Sequence, residues 1–169
     1  MTIEKLSEFE ITNMAQVKCC VAGECDKLQA IVNGDQMVTN ASGEIEVGLK
    51  SIEYLLEELT VDDCSEVTRL VSCNDSGNEI KHVLPALKKV SLHFLPELDS
   101  ISDVLSISPR MDWMSFYHCP NLKSLPICKV FHTKLRQIKG EESWWQALEW
   151  QNTEQDSWEG IFTPVDECD

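Results

Sequence analysis

The chain has 169 residues, of which 43% are hydrophobic and 25% charged, ordinary proportions for one soluble globular domain. Seven glycines and six prolines are too few for a collagen-like or Pro/Gly-rich disordered chain, and no apolar run approaches the roughly 18 residues of a membrane span. Fourteen Lys and Arg against 29 Asp and Glu leave a net charge of −15, which repels a phosphate backbone and an anionic lipid surface alike. Nucleic acid and direct membrane insertion are therefore not expected.

The first ten residues, MTIEKLSEFE, alternate charged and apolar side chains and contain no continuous hydrophobic region of a secretory signal. A cytoplasmic location is expected on that ground. The eight cysteines (Cys19, Cys20, Cys25, Cys64, Cys73, Cys119, Cys128 and Cys168) then read as reduced thiols rather than as a disulfide framework.

One pattern, apolar-x-x-apolar-x-apolar-x-x-apolar, recurs along the chain. It occurs at Leu6, Phe9, Ile11, Met14, then at Leu56, Leu59, Val61, Cys64. It returns at Leu87, Val90, Leu92, Leu95 and at Met111, Met114, Phe116, Cys119, and a weaker copy begins at Leu135 and Ile138 with Gly140 in the sixth slot. The later starts lie 31, 24 and 24 residues apart, within the period of leucine-rich repeats once insertions are allowed. Beyond each ninth position apolar residues continue in steps of three, as in Val67 and Leu70, Leu98 and Ile101, Leu122 and Leu125. The expected fold is an α/β leucine-rich-repeat solenoid of about five repeats over residues 1–142. It has a curved parallel sheet on the concave face and irregular or short helical returns on the convex side. Polar, Gly-bearing segments near 32–48 and 72–83 read as loop insertions. Residues 143–150 read as a Trp-rich capping helix, with Ser143 as N-cap and Trp144, Trp145 and Leu148 covering the end of the core. From 151 to 169 six acids stand without a Lys or Arg, which predicts a solvated acidic tail.

The segments CPNLKSLPI at 119–127 and LRQIKGEESWWQALEWQ at 135–151 resemble the C-terminal end of plant disease-resistance proteins. These are the coiled-coil, nucleotide-binding, leucine-rich-repeat immune receptors. The resemblance covers residues 1–151 and implies a non-catalytic recognition domain. Its partners would be a pathogen effector, a guarded host protein, or the receptor's own nucleotide-binding module, which the repeats hold inactive. No G-x-x-x-x-G-K-[ST] phosphate loop occurs, so no nucleotide is expected on this chain. With no coiled coil or signalling domain ahead of the repeats, the chain reads as a repeat region excised from a longer receptor. A free-standing scaffold and the substrate-binding arm of a ubiquitin ligase are the other protein-binding alternatives. The latter wants an F-box helix before the repeats, for which residues 1–5 leave no room.

Stacking the repeats aligns equal positions in columns, with positions two, three, five, seven and eight facing solvent. The second repeat then presents Glu57, Glu58, Asp62 and Asp63 as an acidic patch. The third and fourth present Lys88, Lys89, His93, Phe94, Trp113, Tyr117 and His118, an aromatic patch with basic residues. Exposed Trp and Tyr dominate protein-binding hot spots, so the expected partner surface centres on Trp113 and Tyr117. The alternative is that Trp113 and Phe94 pack on neighbouring strands.

Catalytic and metal readings are weak. Cys119, Cys128 and His132 are spaced C-x8-C-x3-H, without the short clamp of a zinc site. His82, His93, His118 and His132 are conceivable activators of Cys119, but adjacent residues such as His118 and Cys119 point to opposite faces of a strand. Cys64 and Cys119, at ninth positions, are expected to bond the turning backbone instead. No cofactor, metal or catalytic residue is assigned.

Overall fold

The computed structural model describes residues 18–33, 56–72, 84, 86–101, 108–125, 134–150 and 158–165. In chain order the elements are β1 (Cys19–Gly23), β2 (Ala30–Asn33), β3 (Glu58–Asp62), β4 (Arg69–Ser72), β5 (Lys89–His93), β6 (Trp113–Tyr117), β7 (Gln137–Gly140), α1 (Glu142–Gln146) and β8 (Phe162–Pro164). Strands dominate. Six of them form one sheet in the order β1-β3-β5-β6-β7-β8, and every neighbouring pair is parallel. The remaining two, β2 and β4, pair in parallel in a second small sheet, which Arg69 extends by an isolated bridge to Ser100. No helix among the described residues is long and apolar enough to cross a membrane.

The registers align the units residue for residue. Cys19, Glu58, Lys89, Trp113 and Gln137 form one cross-strand column, the third position of each unit. The fourth and sixth positions turn inward. Leu59, Val61, Val90, Leu92, Met114, Phe116 and Ile138 are all at most 6% exposed. Each such side chain stabilises by about 1.5–3 kcal/mol, and a strand of four or five residues contributes only two of them. After the strand the ninth residue faces the core (Cys64, Leu95, Cys119), and three residues on follow Leu28, Val67, Leu98 and Leu122, all buried. An identical turn makes that step in four successive units. Leu28 N–H donates to Cys25 C=O, Val67 to Cys64, Leu98 to Leu95 and Leu122 to Cys119, at 3.2–3.3 Å. Ile31, Leu70 and Ile101, three residues further on, belong to the same core as the large sheet.

Four expectations change. The first strand of the column is Cys19–Gly23, with Cys20, Ala22 and Cys25 in the fourth, sixth and ninth slots. These residues are too short to announce themselves among leucines. The pattern at Leu6–Met14 lies outside the described residues. Of the two expected loops, Val32, Asn33 and Ser72 belong to β2 and β4, and the remainder lies outside the described residues. The helix runs over Glu142–Gln146 rather than 143–150, with Glu141 at the N-cap and no side-chain cap bond, because the Glu141 carboxylate is engaged elsewhere. Trp144 and Trp145 are buried beneath it as expected: Trp144 lies on Phe116 at 4.8 Å and donates its indole N–H to Leu122 C=O. The Trp144 ring also explains the weak fifth copy. A Cβ at Gly140 would sit 2.7 Å from that ring, so the indole fills the slot that Val61, Leu92 and Phe116 fill in their own units.

The fourth change concerns the segment expected as a solvated tail. It carries β8, which pairs with β7 through Ile138↔Phe162, again 24 residues apart. Phe162 stacks on Trp145 at 4.2 Å and 9°, and Trp158 is 1% exposed. The acids of this stretch masked its apolar side chains. Helix α1 therefore lies between two strands of the sheet and not at its end. Trp158→Ala is expected to cost about 3–5 kcal/mol in urea unfolding, as for a core aromatic; a solvated tail predicts no change.

Candidate protein-interaction face

The outward positions separate into two ends of the sheet with opposite electrostatic character. At the start of the strands, the second-position column reads Lys18, Glu57, Lys88, Asp112, Arg136, alternating in sign from strand to strand. The Lys18, Glu57 and Lys88 carbonyls each accept two N–H groups of the next unit, as Lys18 does from Glu57 and Glu58, and the Asp112 carbonyl accepts one, from Arg136. That repeated bond brings the side chains into pairing distance. Lys18 and Lys88 flank Glu57 at 2.9 and 2.6 Å, Lys89 meets Glu58 at 2.9 Å, and Arg136 meets Asp112 at 3.0 Å. Hydrogen bonds from Lys88 and Lys18 hold the Glu57 carboxyl down at about 2, and the bond to Glu58 raises Lys89. The acidic pair Glu57 and Glu58 and the basic pair Lys88 and Lys89 are thus one mutually neutralised ladder, not two separate patches.

At the far end of the strands, positions seven and eight carry no Lys or Arg. They run Asp62 and Asp63, His93 and Phe94, Tyr117 and His118, Glu141 and Glu142. Four aromatic rings cluster there: Phe94 meets Tyr117 edge-on at 5.4 Å and His118 at 4.9 Å, Tyr117 lies 4.3 Å from His118, and His93 stands edge-on to Tyr117 at 6.4 Å. Phe94 is 45% exposed, one of two large apolar residues so placed among the described residues. The other is Val21 on the outermost strand β1.

The backbone explains this exposure. The eighth residue of four successive units is left-handed: Glu24 at φ 54°, Asp63 at 48°, Phe94 at 52° and His118 at 51°. A non-glycine residue in this region costs on the order of 1–3 kcal/mol, and here the cost recurs in register. The reversed φ lets the chain leave the strand and send its ninth side chain inward while the eighth stays outside. Glu141 supports the arrangement from below. Its nearly buried carboxylate accepts the His118 backbone N–H at 3.1 Å and pairs with His118 Nδ1 at 3.3 Å. Glu141 was visible in the seventh column, but nothing in the sequence marks it as a support for its neighbour.

Trp113 stands elsewhere. Four positions earlier on the strand, about 13 Å from the aromatic cluster along the chain, it is half-buried and donates its indole N–H to Gln137 Oε1 at 3.1 Å. Gln137 continues to Thr163 Oγ1 at 3.0 Å, so Trp113 is tied into its neighbouring strands. Between Trp113 and Tyr117, Ser115 is 7% exposed and shares a hydrogen bond with His93 Nε2 at 3.1 Å. Burial pushes the His93 imidazole below its usual range, against a smaller opposing pull from Asp62.

The ninth-position thiols bond the backbone. Cys64 Sγ donates to Asp62 C=O at 3.3 Å and Cys119 Sγ to Leu92 C=O at 3.3 Å, and burial raises both to about 11. His118 is exposed beside the buried Cys119, so the two do not meet. Among the described residues no group of three His, Cys, Asp or Glu side chains is placed to hold a metal; Cys128, His132 and His82 lie outside them.

Two measurements check these environments. Site-resolved alkylation at pH 8 is expected to label exposed Cys19 first, with Cys64 and Cys119 slowed at least about a hundredfold by the lost thiolate fraction alone. His93 is held neutral in the folded chain, so its contribution to stability is full above its ordinary value of 6.5 and is lost as the pH falls below it. Urea unfolding at pH 7.5 and 5.5 should therefore show a smaller acid loss in His93→Gln than in the parent chain.

No protein-family model matches the chain, and neither does any solved structure. A disease resistance protein of Arabidopsis thaliana is 30% identical to it over 95 residues, which are 56% of this chain and 9% of that protein. The chain thus spans less than a tenth of the length of this curated relative, and more than half of it is a plant resistance-protein-like region.

Proposed function

We propose that this chain is a non-catalytic protein-recognition region of a plant immune receptor, built as a cytoplasmic leucine-rich-repeat solenoid whose concave strand face receives the partner. Support for the solenoid comes from units in register, with periods of 31, 24, 24 and 24 residues from β3 onward. Support for the immune role comes from the partial similarity to a disease resistance protein. The observation that carries recognition is the ring cluster of Phe94, Tyr117 and His118, held outward by a recurrent left-handed residue. Fold economy alone does not require a phenylalanine there. Rings at a solvent-facing position, ringed by polar groups, are what a protein interface uses as anchors. The candidate partners are an effector, a guarded host protein or the nucleotide-binding module of the same receptor.

The nucleotide-binding module is the partner to test first, by calorimetry of this chain with the module of a longer receptor that carries the same repeat region. Phe94→Ala plus Tyr117→Ala is expected to weaken association by at least about 30-fold, the loss of one hot spot, with Trp113→Ala doing less. Unchanged affinity in the double variant rejects this face as the contact. No association from a folded chain rejects the module and turns the search to an external protein.

A further inference from the structure

The face proposed for recognition also has a chemistry that selects its partner. We infer that the strand-end cluster is a cation platform, and that it takes an Arg- or Lys-bearing basic segment of a protein. The inference rests on the recognition reading of this face and specifies what it recognises.

Three observations converge on it. The rings of Phe94 and Tyr117 lie edge-to-face at 5.4 Å with Phe94 open to solvent, so a π face is available to a cation. On one side, Asp62 and Asp63 occupy the same two positions on the adjoining strand end, and neither is ion-paired to Lys or Arg among the described residues. On the other side Glu141 is nearly buried and held by His118, and Glu142 accepts from Gln146 Nε2 at 2.9 Å, so the carboxylates open to a cation are those of Asp62 and Asp63. Of the lysines on the strand face, Lys18 and Lys88 hold Glu57 and Lys89 holds Glu58 at the opposite end of the strands, while Lys139 sits in mid-strand on β7, in register with Ser115. A guanidinium resting on the rings would meet the Asp62 and Asp63 carboxylates at its edge, combining a cation–π contact with charge-assisted hydrogen bonds. The net charge of −15 would draw such a segment in from a distance and repel an acidic one.

The test uses the full chain with an N-acetylated, C-amidated hexa-arginine peptide and its uncharged isostere, hexa-citrulline. Amide chemical shifts and calorimetry are read at 150 mM salt, where diffuse attraction is screened beyond about 8 Å. Hexa-arginine is expected to shift the amides of His93, Phe94, Tyr117 and His118, and hexa-citrulline is not. Phe94→Asn keeps a residue suited to the left-handed backbone while removing the ring, and is expected to weaken hexa-arginine about tenfold. Asp62→Asn plus Asp63→Asn should do the same. Glu149→Gln plus Glu159→Gln, an equal charge change elsewhere on the surface, should change affinity less than about twofold. Equal weakening by both acid pairs, or no effect of Phe94→Asn, means diffuse acidity and overturns the platform. Absence of hexa-arginine binding overturns it too. If the Phe94→Ala plus Tyr117→Ala variant still loses a protein partner in that case, recognition stands and only its cationic selectivity falls.

Discussion

The in-register parallel pairing of very short strands is the constraint on which the other features rest. A strand of four or five residues offers two inward positions, and a slip of one residue would exchange both with their outward neighbours. Leu59 against Val90 against Met114 against Ile138 is therefore an all-or-none alignment. No unit buries enough on its own, so each depends on the next for its stability and its register. The second-position carbonyl, accepting two N–H groups from the following unit at Lys18, Glu57 and Lys88 and one at Asp112, fastens that alignment through the backbone, independently of side-chain type.

Once the alignment is in place, the charges follow a logic of their own. The alternating column from Lys18 to Arg136 penalises any displacement that sets like charges opposite each other, a modest term for each exposed pair but the same sign along the whole sheet. It also leaves the two ends of the strands unlike. One end is internally compensated, while the other concentrates carboxylates around aromatic rings. Buried Glu141 joins the two levels of organisation, because the same carboxylate that fixes the His118 backbone forgoes capping α1.

Much of this was legible in the sequence. Strands β3, β5 and β6 fall where the repeat of large aliphatic and aromatic residues places them, and the columns of outward residues through those strands follow from period-two alternation. Elements disappeared where small or polar residues occupied core slots. In β1 the fourth and sixth positions are Cys20 and Ala22, while in β8 acids surround Trp158 and Phe162 and Pro164 holds the sixth position. The site was legible as a set of exposed residues but not as an arrangement. Pairing between Lys88 and Glu57 spans 31 residues and depends on register, and the division of the face into a compensated and an uncompensated end depends on the same thing. Nothing in the sequence around Phe94 or His118 signals a left-handed backbone, since the usual markers, glycine and asparagine, are absent there.

That left-handed residue has a consequence for how such a surface changes over time. Because the backbone turns there in four successive units, the side chain it carries is excluded from the core, and the four observed occupants are as different as Glu, Asp, Phe and His. Substitutions at this position leave the buried columns untouched, so residues that tolerate the left-handed backbone can be exchanged while the scaffold is retained. Adjacent units then act as separate, independently variable letters along one rim. What the rim presents to solvent is thereby decoupled from folding.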